Sequence, residues 1–584
     1  MMETFAISGS RQKQLEASIK EGEIRLSAFV AEHNLPFLVM EHLPKLIMNI
    51  CPDSKIAQGL ACSRTKTTAI VKYVTGNEGF LQVCEDLRNK KFSLIVDEST
   101  DRSTIKHLCL VVRYLKDDVI QDSFFGLVKL RVSDATTLYN HIAEMFNHNN
   151  IPYKNNLIGF ASDGANVMMG SHHSLMTLLK NDIPNLYIIK CICHSFHLCA
   201  SYACHKLPRY VEDLCRDIYN YFNSSPKRVC EFSQFQQFCN IKTHKILHPS
   251  QTRWLSVHGV VIRILEQYAA LKLYFTDAVN SNDVLAANNI LQKLNDPVSK
   301  LFLEFLDYVL PLFNILNIEM QSESPKLHVL YDNVCLVLKT IYDCFLQRNY
   351  ITTTSIENID FKNPRNYLAI ENMYFGAKVV ASMTRLNLTD EQIKFFRLRC
   401  LDFYIEGCTQ ITARFPLKNN SIKKFRFLNP TVVKSGTIHT ITDVALLFPN
   451  LITDRELQSL DSEWRLLRNN QEIQSFSNDV QVFWQNIKTI TLGDKTLVFP
   501  VLSRFVENIL CLPHSSANVE RIFSSINLLK TKQRNKLSSE TITGLLLTKQ
   551  LIGKNYCYDF PVKDNLISKI TNSVLKNIQT EDIE

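Results

Sequence analysis

FSLIVDE, residues 92–98, is the stretch on which the fold turns. It is a short apolar run, rich in β-forming residues, that closes on acids. HLCLVVRYL, 107–115, and SFFGLVKLRV, 123–132, repeat the texture, and turn-like polar residues separate the three runs. That spacing predicts a β-meander. A helix-like stretch follows from Asp134 to about His148. After it come two further strand-like runs, LIGFASDGAN at 157–166 and LYIIKCIC at 186–193. The order strand, strand, strand, helix, strand, helix, strand is an α/β pattern of modest size.

Outward from this block the texture is helical. Upstream, Leu15, Ile19, Ile24, Ala28 and Phe29 recur at helix spacing, so residues 12–85 are expected to be helices. Downstream, from about Tyr210 to Ile490, the chain reads as a large helical block with few chemical signals. LFLEFLDYVLPLFNIL, 301–316, and Val329–Phe345 have the character of buried helices. Pro500 opens another helix, with Leu502, Phe505, Val506 and Ile509 on one face. Two more helices follow from about Ser516 and Ser539, both serines being suited to N-caps.

The 584 residues are enough for several domains, and a hydrophobic fraction of 46% is that of a globular protein. A net charge of +8 permits a polyanionic partner without requiring one. The polar N-terminus is not a secretory signal, and no apolar stretch is read as long enough, at ~18–20 residues, to span a membrane. Seventeen scattered cysteines fit reduced thiols inside a cell better than a disulfide framework. There is no Gly-rich phosphate loop, no G-x-S-x-G and no H-E-x-x-H, so ATP use and serine hydrolysis find no support.

Two carboxylates carry the chemistry. Asp97 ends the first strand-like run and Asp163 ends the fourth. Strands that terminate in acids and lie side by side bring like charges together, which is tolerable when a hard divalent cation sits between them. A pair of such ions, ~3.5–4 Å apart, activates a water or hydroxyl and stabilises a leaving phosphate oxygen. The plainer alternative is that each Asp caps the segment that follows its strand. Glu520, in PHSSANVERIFSS, falls in the first turns of a helix starting near Ser516, where the helix N-terminus favours a carboxylate. The segment CICHSFHLCASYACHK, 191–206, is dense in Cys and His. A strand running into a helix rarely wraps one metal tetrahedrally, so no structural zinc is expected. KNNSIKKFRF, 418–427, and KTKQRNK, 530–536, are basic enough for phosphate contacts, the plain alternative being a solvated charged face.

Residues 499–552, and above all the P-x-SSA-x-x-ER-x-FS string from Pro513 to Ser524, resemble the C-terminal dimerisation region of hAT transposases. LIVDESTD, GFASDGANVMMG, CICH and SQTRW resemble further hAT signatures in the family's order, from about Lys91 onward. The resemblance implies a ribonuclease H-like core interrupted by a large all-α insertion, with a helical C-terminal dimerisation segment. The implied division is an N-terminal helical region to residue 90, the first part of the core at 91–260, the insertion at 261–495, and the return to the core with the dimerisation region at 496–584. It implies Asp97, Asp163 and Glu520 as catalytic acids and as ligands of Mg²⁺ (or Mn²⁺) if the protein is active. Cys191 and His194 match the family's C-x-x-H, and Arg253 and Trp254 its Arg-Trp pair, whose Trp is thought to stack on an extruded base. With Lys532 and Arg534 these are the expected DNA contacts. Implied partners are a second copy of the chain, as a homodimer or higher oligomer, and double-stranded DNA, with no membrane. The implied compartment is the nucleus.

One departure is visible. The family often begins with a BED zinc finger, yet before residue 90 there are only Cys51, Cys62, Cys84, His33 and His42, with no C-x-x-C. Either the finger is lost or the sequence begins after it, and the expectation is a domesticated or non-mobile protein that dimerises and binds DNA weakly. The alternatives are an active metal-dependent transposase, or a transposon remnant.

Overall fold

The computed structural model of the chain describes residues 2–101, 104–249, 254–281, 285–419, 422–532, 534–571 and 574. It divides into two compact units. The first comprises Met1–Cys191, Glu323–Pro325 and Lys434–Glu584; the second comprises Ile192–Ser322 and Lys326–Val433. The sequence reading placed its internal boundaries at 260/261 and 495/496 instead. The difference has a simple origin. Among the described residues, 192–238, 254–260 and 434–495 are mainly helical, so composition does not shift where the packing partner changes.

The first unit is built on one mixed sheet. Its strands are β1 (Phe92–Thr100), β2 (Lys106–Lys116), β3 (Val119–Leu130), β4 (Leu157–Ser162) and β5 (Tyr187–Lys190). Across the sheet they run in the order β3-β2-β1-β4-β5. β1, β2 and β3 are antiparallel neighbours, while β4 pairs parallel to β1 and β5 parallel to β4. β1 is thus the central strand. Phe92 to Val96 are buried without interruption, which is why this strand reads as a continuous apolar run rather than an alternating one.

Successive side chains of β1 point to opposite faces of the sheet. Phe92, Leu94 and Val96 join the main core cluster, with Leu138, Ile142 and Phe146 of the helix Ala135–His148. That helix begins where the sequence puts it, the Asp134 side chain accepting the Thr137 N–H. Ser93, Ile95 and Asp97 therefore face the other side. There the Leu512–Pro513 segment lies directly on the sheet. A Cβ on Gly159 of β4 would meet Ser93 Oγ at 2.5 Å, Leu512 Cδ2 at 2.9 Å and Pro513 Cδ at 3.1 Å, so only glycine admits this approach.

The C-terminal helices complete the same unit. Pro500–Leu510 buries Leu502, Phe505, Val506 and Ile509, the face read from the sequence. Its first N–H groups are held by Glu463, which accepts from Leu502 at 2.8 Å and Val501 at 3.3 Å. Ala517–Leu529 packs on β1 and β2. Ser539–Ile552, capped by Ser538 rather than Ser539, packs on the helix Gly76–Asn89, on β3 and on the first helix, Met2–Glu32. Gln550 reaches the edge strand, where its Oε1 accepts the Phe124 N–H at 2.7 Å, beside an irregularity in the β2–β3 ladder. The N-terminal helices are thus part of the sheet unit and not a separate region.

The second unit is helical. Its core helix, Pro297–Met320, corrects one expectation. It is 24 residues long with a mean hydropathy of 1.5 over its best window, enough by length and composition to cross a membrane. Within the unit 56% of that window is buried. The helix packs among Ile192–Cys204, Trp254–Glu266, Ala377–Arg385 and Asp390–Arg414, and it carries Glu304, hydrogen-bonded to Ser382, and Asp307, paired with Lys378. It is the spine of this helical unit.

Candidate functional site

The register of the sheet decides where the two aspartates lie. Ile95 of β1 pairs with Ala161 of β4 in a parallel ladder. Two residues further along each chain stand Asp97 and Asp163. Neighbouring strands are ~4.8 Å apart, so both acids emerge side by side at the same end of the central strand pair. Asp97 is the sixth residue of β1, opposite Cys109 of β2. Asp163 follows the last residue of β4, and its Oδ1 accepts the Ala165 N–H at 3.1 Å. Both are half-buried.

Glu520 arrives from the far end of the chain. It lies in the first turn of Ala517–Leu529, where the dipole favours an acid. The Leu512–Pro513 approach across Gly159 delivers that helix to the sheet face that carries Asp97. Cys191 fixes its start: the thiol accepts the Ser516 N–H at 3.3 Å, and the Cys191 N–H donates to the Ser162 carbonyl at 2.8 Å. One buried residue thus ties the cap of the Glu520 helix to the end of β4.

The electrostatics record the convergence. Burial first, and then the charge of Asp163, raise the Asp97 carboxyl from 3.8 to about 7. Cys191 and Glu520 push in the same direction, and a 2.8 Å hydrogen bond from the Glu98 N–H opposes them. Asp97, with Asp163 and Glu520 acting on its charge, makes an all-oxygen donor set of the kind hard divalent cations take. The set fits Mg²⁺ or Mn²⁺ chemically. Its spacing is open: among the described residues, the one group with ligating atoms all within 4.8 Å of one another is elsewhere, at Glu32, His33 and Cys557.

A second charged cluster stands four residues beyond Asp97. Asp101 Oδ2 accepts Lys530 Nζ at 2.6 Å and lies 3.0 Å from His107 Nε2. The side chains of all three are at most 3% exposed. Burial holds the His107 imidazole below its ordinary value, against the pull of Asp101. Lys530 follows the last residue of the Glu520 helix, so this pair clamps the helix's other end to the hairpin that carries Asp97.

The remaining expected residues are scattered. Cys191 is 1% exposed and holds the start of the Glu520 helix. Arg534 is also buried; its guanidinium sits 5.5 Å from the Phe37 ring centroid and donates to the Asn34 carbonyl at 3.3 Å. Short basic or Cys/His strings do not reveal which members turn inward. Lys532 is exposed, as a phosphate contact would need. His194 lies in the helix Ile192–Cys204 of the second unit, partly exposed. Arg253 lies outside the described residues, and Trp254 opens the helix Trp254–Glu266. In the 418–427 string, Lys423 pairs with Glu357 and Arg426 with Asp332, so those two cations serve the second unit's own packing. Lys530 was grouped in the sequence with exposed cations; nothing in its neighbours signals that it pairs with Asp101.

Residues 456–552 match the hAT family C-terminal dimerisation region, and residues 40–174 match the family described as ZMYM1/FAM200, RNase-like domain. The two matches are consistent with a hAT transposase-like protein. The 40–174 match holds Asp97 and Asp163, and the 456–552 match holds Glu520. The chain therefore draws its converging acids from two separately matched segments, brought together in one unit.

Proposed function

We propose that the first unit is a ribonuclease H-like core carrying a divalent-cation-dependent DNA-processing site, with Asp97, Asp163 and Glu520 as its acids. The observation that carries this reading is the β1–β4 register. It sets the two aspartates side by side, with the Glu520 helix laid on the same strands. Bound Mg²⁺ or Mn²⁺ would supply Lewis acidity to a phosphodiester. The three carboxylates would hold the ions, and Cys191 and Lys530 would hold the helix that presents Glu520. The chain would act in the nucleus as a self-associating protein, through its C-terminal region, and would bind double-stranded DNA mainly by phosphate contacts. The preferred reading is a domesticated or non-mobile protein. The retained convergence of the acids favours, as the second reading, an active transposase.

Purified full-length protein with Mg²⁺ or Mn²⁺ is expected to show at most weak nicking of DNA with little sequence preference. Binding should fall steeply with salt, as phosphate contacts require. Asp97→Ala and Glu520→Ala should each abolish the nicking. Efficient cleavage at one defined terminal sequence would establish the active transposase instead. Nicking that survives both substitutions would remove the acids from the reaction.

A further inference from the structure

The structure gathers a mixed-donor cluster that includes none of the three acids. Glu32 is the last residue of the helix Met2–Glu32, and His33 follows it. Cys557 comes after the Ser539–Ile552 helix, more than five hundred residues away in sequence. One ligand atom from each of the three lies within 4.8 Å of the others. We propose that Glu32, His33 and Cys557 form a zinc site that staples the first helix to the C-terminal segment.

The donors match the metal. Thiolate, imidazole and carboxylate are the three ligand types zinc accepts, and three protein ligands leave a fourth position for water. A thiolate and an imidazole also select against Mg²⁺ or Ca²⁺, which prefer oxygen alone. The geometry is held from several sides. The Cys557 N–H donates to Glu32 Oε2 at 2.8 Å, which fixes the carboxylate against the cysteine backbone. The His33 ring packs on Phe29 with centroids 4.8 Å apart. Arg25 of the same helix donates to the carbonyls of Tyr558 and Phe560, and Lys20 donates to that of Ile570. The tail is therefore already laid along the helix, and the metal would close an existing contact. Lys549, a nearby cation, spends its Nζ on Asn34 Oδ1.

Without metal the cluster rests as a thiol beside a carboxylate. Burial, and then Glu32, push the Cys557 thiol up to about 11. Binding must therefore expel the thiol proton: the S–H bond breaks, a S–Zn bond forms, and one proton passes to solvent. Affinity should rise with pH accordingly. The sequence hides this site because no close Cys/His spacing announces it.

The test uses the full-length chain, reduced and stripped with a chelator. Co²⁺ is titrated as a spectroscopic probe and then displaced by Zn²⁺. One equivalent should bind with a thiolate charge-transfer band and tetrahedral visible bands. Cys557→Ser should remove the charge-transfer band. His33→Ala should weaken binding roughly 10- to 100-fold, the scale of a lost contact at a metal centre. His33 is exposed, so that variant leaves the fold intact even if the cysteine variant is unstable. Cys230→Ser, at an exposed thiol, should change nothing. Zn²⁺ should also slow proteolysis of the tail after Ile552 in the unaltered chain but not in either site variant. A charge-transfer band that persists in Cys557→Ser, or affinity unchanged in His33→Ala, overturns the site. So does an unaltered chain that binds no Co²⁺, which would leave only a thiol–carboxylate hydrogen bond.

Discussion

Asp97 and Asp101 lie four residues apart where β1 ends, and the protein treats them in opposite ways. Asp101 is buried with a lysine at 2.6 Å and a histidine at 3.0 Å. Asp97 is raised to about 7 by burial first and then by the charge of Asp163, with Cys191 and Glu520 adding to it. A folding unit that needed only stability would pair both. Pairing one and crowding the other costs stability at Asp97, and such uncompensated strain is characteristic of functional sites. The two arrangements are mechanically linked, because the lysine that neutralises Asp101 terminates the helix whose glutamate crowds Asp97.

The largest expected effect comes from breaking the paired side. Lys530→Met leaves Asp101 buried without its cation, which costs ~3–5 kcal/mol for a buried pair. Urea denaturation of the variant measures this directly. Asp101→Asn combined with Lys530→Met should recover most of the loss, since no charge is then left stranded. A single-variant loss below ~1 kcal/mol would mean that the pair is solvated in solution and that the contrast with Asp97 is only apparent.

The crowded side should respond with the opposite sign. A carboxyl raised from 3.8 to about 7 keeps its proton in the folded chain where the unfolded chain has lost it. Metal-free stability should therefore decline as pH rises from about 4 to about 7 and then level off. Asp97→Asn carries no charge at any pH. Without metal it should be more stable than the unaltered protein at pH 8, by roughly 2–4 kcal/mol, and converge with it near pH 4. Mn²⁺ should raise the melting temperature of the unaltered protein at pH 8 and leave the variant unmoved. Equal stability at pH 8 would show that Asp97 is not crowded in solution.

The legible part of this molecule was whatever obeys a local period. β1 to β5 announced themselves as apolar runs, and the 3.6-residue spacing of Leu502, Phe505, Val506 and Ile509 marked a real buried face. Asp97 and Asp163 were visible as strand-terminal acids. The register that pairs their strands was not, because parallel pairing is a long-range choice. Glu520 could be attached to them only by resemblance, since no local rule spans that distance. What stayed hidden were partnerships between distant segments: Lys530 with Asp101, Cys191 with Ser516, and the glycine contact of Gly159 with Leu512 and Pro513. Lys530 shows why. A lysine in a basic string is expected in water, and only the fold reveals a buried carboxylate within reach.

The smallest effect separates neighbouring members of that same string. Lys532 is exposed, two residues beyond the buried Lys530. Lys532→Ala removes no packing, so stability should change by less than ~0.5 kcal/mol. If the string borders a DNA path, the same substitution should lower the slope of log affinity against log salt by about 1, one phosphate contact being lost. Arg534→Ala should behave in reverse, because its guanidinium is engaged with Phe37 and Asn34: stability falls and the salt slope stays. Measuring both variants by salt-dependent anisotropy and by denaturation gives two numbers each. If Lys532→Ala leaves the slope unchanged, the string is a structural one throughout, and DNA must be held by another face of the protein.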